Sequence, residues 1–146
     1  MKWRNAMLIG SLLLLVFILF LLATGSPVLT APLDSAGRFP AGNFLIWLGM
    51  LLLPLSIYLG FFTRPVAQDP RINIFRFGLL IALVLALLWG LVAYGLAGNW
   101  QFSFSSQAEG FVGSPRASAF FWYWNYLVAG WPIFVLLLYL VFRFLD

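Results

Sequence analysis

Four long runs of apolar residues, set apart by segments rich in proline, glycine and charge, organise the chain. They cover 6–23, 43–62, 77–97 and 118–142, and no formal charge interrupts any of them. Each is close to or above the ~20 residues an α-helix needs to cross the hydrocarbon of a bilayer. Polar and apolar positions do not alternate within the runs, which argues against the strands of a membrane β-barrel. The pattern predicts an all-α polytopic membrane protein, a single four-helix transmembrane bundle over residues 1–146.

The first run follows Lys2 and Arg4 and is followed by Ala23, Gly25 and Ser26, an arrangement similar to a secretory signal. A signal's apolar core is usually about 7–15 residues. This run is longer, so it reads as an uncleaved helix. The segment 25–42 carries Pro27, Pro32, Gly37 and Pro40 and is expected to be irregular but stiff. Asp69 followed by Pro70 has the chemistry of an N-cap with proline at the first helical position. Helix three is therefore expected to begin near Pro70, with an interfacial lead carrying Ile72, Ile74 and Phe75. Gly98 suits a left-handed C-terminal cap, and Ser118 is a candidate cap for helix four.

Placing the N-terminus inside puts Lys2, Arg4, Arg64, Arg71, Arg76 and Arg143 on the inner side and Arg38 and Arg116 on the outer. That bias follows the positive-inside rule and predicts cytoplasmic termini in a bacterial cytoplasmic (inner) membrane. The chain is 64% hydrophobic and 8% charged, against roughly 45–50% and about 25% in soluble domains. The net charge of +4 is spread over scattered residues with no basic run. It reads as membrane orientation, and no nucleic-acid partner is expected.

Candidate chemistry is sparse. Histidine and cysteine are absent, which removes their zinc, copper, haem and thiol chemistry. All four acids, Asp34, Asp69, Glu109 and Asp146, lie outside the apolar runs, so an intramembrane carboxylate for ion coupling is missing. No phosphate-cradling glycine loop is present. The expectation is a protein that is not an enzyme and uses neither metal nor cofactor. A lipid-modifying enzyme acting through Glu109 or Asp34 is the least favoured reading.

The helix faces say more. Gly78, Ala82, Ala86, Gly90, Ala93 and Ala97 recur every three or four residues on helix three, the small-residue spacing that lets membrane helices approach closely. They are candidate helix-packing residues and would make helix three central. Helix two has a sparser set in Gly49, Ser56, Gly60 and Thr63, and Pro54 and Pro132 should bend helices two and four. Asn125 is an amide well inside a span and a candidate interhelical polar contact. Arg64, Arg71 and Arg76 are candidate contacts for anionic lipid headgroups. Trp3, Trp47, Trp100 and the run Phe120–Trp124 read as interfacial anchors. Outside the membrane, Arg38 with Asp34 and Arg116 with Glu109 could join the two outer loops.

These features favour a non-catalytic integral membrane subunit that packs against, assembles or stabilises a larger complex. Its expected partners are other membrane subunits and lipids, and a respiratory or photosynthetic assembly is a natural host. The alternative is a small transporter or channel for a neutral or lipophilic solute, with Pro54 and Pro132 marking broken helices along a path.

Overall fold

The computed structural model describes residues 2–62, 70–100 and 111–145. Within them lie α1 (Lys2–Thr24), α2 (Ala41–Ile57), α3 (Pro70–Ala97) and α4 (Pro115–Leu145). A wide π turn, Tyr58–Phe62, continues α2, and a 3-10 turn, Pro27–Thr30, lies between α1 and α2. All four helices, with the π turn extending α2, are long and apolar enough to cross a membrane. They run alternately up and down. One end of the molecule carries the start of α1, the π turn and the end of α4; the other carries 25–40, 98–100 and 111–114.

Local chemistry sets the helix ends. At the end of α1, Gly25 adopts φ +60, its N–H bonds the Leu22 carbonyl and that of Ser26 bonds the Leu21 carbonyl. This is a Schellman motif, which satisfies two orphan carbonyls. The small residues there that are similar to a cleavage signal thus serve as a helix stop. Gly98 adopts φ +78 and its N–H bonds the Tyr94 carbonyl at 2.8 Å, ending α3. α3 begins at Pro70; Asp69 lies outside the described residues. The start of α4 differs from expectation. Ser114, not Ser118, is the cap: its Oγ accepts from the Ala117 N–H at 3.2 Å, with Pro115 in the first helical position. Ser118 already sits one turn inside, bonding the Ser114 carbonyl as any helical residue does.

Helix packing is uneven. Among the described residues α2 touches α1, α3 and α4, and α3 packs most closely on α4. The helix that meets every other one is therefore α2 rather than α3. Among the described residues α1 rests on α2 and its flanking turns alone. Its inward residues Leu8, Ser11, Leu15, Ile18 and Leu22 recur every three or four positions, a single stripe. The α2 residues opposite are small. A Cβ on Gly49 would stand 3.5 Å from Ile18, one on Gly60 would stand 3.9 Å from Leu8, and Ser56 bonds Ser11. Two apolar clusters fill the α2–α3–α4 unit. One surrounds Trp89, Ala93, Phe121 and Val128, and the other surrounds Phe62, Leu79 and Val135. Neither contains a residue of α1.

Candidate functional site

Several polar side chains inside the spans bond within their own helix or across to a neighbouring one. Ser56 Oγ donates to the Leu52 carbonyl at 2.7 Å and lies 3.0 Å from Ser11 Oγ, which donates in turn to the Leu8 carbonyl. Trp47 of α2 donates from Nε1 to the Ala86 carbonyl of α3 at 2.8 Å. Trp131 of α4 donates to the Gly78 carbonyl at 2.9 Å. Trp89 of α3 donates to Asn125 Oδ1 of α4 at 2.6 Å, and Asn125 Nδ2 donates to the Phe121 carbonyl at 2.8 Å. A carbonyl oxygen has two lone pairs, so Ala86 and Gly78 can accept an indole and keep their helical bonds.

The small residues of α3 make these bonds reachable. Ala82, Ala86, Gly90, Ala93 and Ala97 are buried and Gly78 is half-buried. A Cβ on Gly90 would stand 3.0–3.2 Å from three atoms of the Trp47 indole, so the ring lies on bare backbone. A Cβ on Gly78 would stand 3.1 Å from Val135. The stripe therefore serves two neighbours, α4 at Gly78 and α2 at Gly90. Trp47, which reads from sequence as an interfacial anchor, is instead spent between helices because its N–H finds an acceptor there. Trp122 and Tyr123, by contrast, are exposed.

At the end formed by 25–40 and 98–100, an open cavity of about 650 Å³ is lined by Asp34, Arg38, Phe39, Tyr94, Gly98, Asn99 and Trp100. Tyr94 and Trp100 stack with centroids 4.6 Å apart, and Phe39 meets Trp100 edge-on at 5.2 Å. Asn43 Nδ2 donates to the Trp100 carbonyl, tying the start of α2 to the end of α3. The loop below is closed by two backbone bonds, Leu33 N–H to Phe39 and Ala41 N–H to Ala31, both 2.8 Å. Two buried polar atoms lack a partner among the described residues, Asn43 Oδ1 and Trp124 Nε1.

Among the described residues, Asp34 and Arg38 pair within one loop rather than across two. Asp34 Oδ1 accepts from the Arg38 and Phe39 N–H groups at 2.7 and 2.8 Å, and Oδ2 lies 3.6 Å from Arg38 Nε. The carboxylate closes its own turn. The Phe39 N–H bond, helped by that of Arg38 and by the guanidinium charge and opposed by desolvation, holds its pKa below the ordinary 3.8. A lowered folded pKa means the ionised form is the one the fold favours. The turn is therefore expected to keep this support above pH 3.8 and to lose it as pH falls through the lower folded value. Amide exchange at Arg38 and Phe39 should accelerate over that window in the native chain. In Asp34→Ala it should be fast throughout; equal protection in both chains would contradict the assignment.

Among the remaining candidates, Arg76 donates from Nε and Nη2 to the Phe62 carbonyl at 3.2 and 2.8 Å. Arg64, Glu109 and the side chain of Arg71 lie outside the described residues. Arg116 is exposed. No three histidine, cysteine or carboxylate side chains come together among the described residues. Sequence reasoning passed over Trp89 and Trp131. The usable signal was position: both stand far from the span ends, where an indole N–H has no water and requires an acceptor. The chain matches no protein-family model, no curated protein and no solved structure.

Proposed function

We propose that this protein is a non-catalytic subunit of a larger membrane assembly, attached through α1, with both termini cytoplasmic and a bacterial inner membrane as its setting. The observation that carries the reading is the two-sidedness of α1. One stripe faces α2. A second, Ala6, Gly10, Leu13, Phe17 and Phe20, has the same spacing on the opposite side and is exposed. A Cβ on Gly10 would meet nothing within 4 Å. Small residues beside large apolar ones at helical spacing suit close approach by a further helix. The interior supports the same reading: Trp47, Trp89, Trp131, Asn125, Ser11 and Ser56 bond across or along helices of this chain rather than line a shared path.

The test is gentle extraction of the full chain from its own membranes, followed by native mass spectrometry. The expected species is larger than the 16.4 kDa chain and contains one further membrane protein in fixed ratio. Gly10→Trp should release that partner while leaving the thermal midpoint of the isolated chain unchanged, because none of the described residues meets a Cβ at Gly10. Recovery of the wild-type chain at its own mass alone, or an intact complex with Gly10→Trp, would overturn the proposal.

A further inference from the structure

The junction of α2 and α3 forms a second cavity, about 380 Å³, lined by Tyr58, Asn73, Arg76, Phe77, Leu80 and Leu83. Its construction begins in α2. The π turn Tyr58–Phe62 widens the last turn of that span and ends at Phe62, whose carbonyl accepts both Arg76 N–H bonds. A cation at a helix C-terminus also meets the negative end of the helix dipole. Arg76 is thereby fixed by backbone at the mouth of the groove instead of sweeping freely through the interface.

From there the lining changes character in one direction. Asn73, Arg76, Phe77, Leu80 and Leu83 fall on one face of α3 and progress from polar to apolar over ten residues, ~15 Å of helix. Tyr58 supplies the facing wall. Asn73, Phe77 and Leu80 are exposed, and Arg76 and Leu83 are half-buried. Among the described residues, no carboxylate lines the cavity. A donor-rich, positively charged mouth followed by an apolar slot of this length matches a molecule with an anionic head and a hydrocarbon tail.

We infer that this groove holds one anionic phospholipid, its headgroup phosphate at Arg76 and Asn73 and an acyl chain along Phe77, Leu80 and Leu83. A guanidinium is a permanent, delocalised cation whose planar fork suits phosphate oxygens. An anionic headgroup adds net attraction that a zwitterionic one cancels with its own cation. The inference is independent of the proposed attachment through α1, which contributes none of the described lining residues.

The full chain in neutral detergent, supplied with equal phosphatidylglycerol and phosphatidylcholine of identical acyl chains, provides the test by native mass spectrometry. One phosphatidylglycerol should be retained in preference by about tenfold, the factor a single charge-assisted bond of about 1.4 kcal/mol confers. Arg76→Gln, which can still donate to the Phe62 carbonyl, should bring the ratio close to one. Asn73→Leu, at an exposed position with no part in that carbonyl bond, should lower it. Leu83→Trp should reduce retention of both lipids by filling the slot. Equal retention of the two lipids by the wild-type chain would overturn the inference. So would a preference that survives Arg76→Gln, or displacement of the lipid by excess inorganic phosphate alone.

Discussion

Gly90→Leu is expected to lower the thermal midpoint of the chain by about 10 °C, the largest drop from any single glycine substitution in the spans. The reason is the surface that Gly90 leaves bare. The Trp47 indole lies where a Cβ would stand 3.0–3.2 Å away, and its Nε1 reaches the Ala86 carbonyl one turn earlier at 2.8 Å. A leucine fills that space and drives α2 outward. Overpacking costs about 1–3 kcal/mol, and loss of the indole bond adds about 0.6–2 kcal/mol in a membrane. At about 2–4 °C per kcal/mol for a chain of this size, the two terms reach the stated shift. Gly90→Ala should fall between wild type and leucine. Gly95→Leu is the control: a Cβ there meets nothing within 4 Å, so its midpoint should stay close to wild type. Adding Trp47→Leu to Gly90→Leu should recover part of the loss, since the two substitutions compete for one space. Equal midpoints for Gly90→Leu and Gly95→Leu would show that the α2–α3 contact does not depend on the bare glycine.

The same contact shows where sequence reasoning stopped. Four charge-free apolar runs predict four spanning helices, because lipid leaves the backbone no other way to satisfy its polar groups at this length. The small residues of α3 are visible by spacing alone. Spacing does not tell which neighbour a small residue admits, since that depends on the large residue opposite. Trp47 and Val135 decide it, and each lies more than 40 positions from the glycine it covers. The expectation that α3 would be central rested on the length of its stripe. In the structure α2 takes that place because it has small residues on one face for α1 and Trp47 on another for α3. Indoles were read as interfacial because that is their usual depth. A donor matched with a distant carbonyl leaves no trace in the local pattern. The helix ends tell the opposite story. Gly25, Gly98 and Pro115 act within a few residues, and of the three Gly98 is legible in the sequence as a helix cap. The fourth helix was misjudged at its start because Ser118 stands at the edge of the apolar run, whereas the capping bond forms at Ser114, outside it.

A second result tests the interior bond between α3 and α4. Asn125→Leu should destabilise the chain by about 1–3 kcal/mol, the cost of leaving a buried donor unpaired. The donor is Trp89 Nε1, 2.6 Å from Asn125 Oδ1, on a side chain that is only 1% exposed. Trp89→Phe should cost a similar amount, since it shrinks a filled site and orphans the amide oxygen. The informative chain is the double variant. With donor and acceptor both gone, the polar penalty disappears and the remaining cost is lost volume, partly refilled by leucine. The double variant should therefore be less destabilised than the sum of the singles by about 1–2 kcal/mol, measured by reversible unfolding in mixed micelles. The companion bond from Asn125 Nδ2 to the Phe121 carbonyl does not confound the cycle, because that carbonyl keeps its helical partner. Additive losses would mean that the indole finds another acceptor once Asn125 is gone. The association of α3 with α4 would then rest on packing around Val128 and Leu79 rather than on this bond.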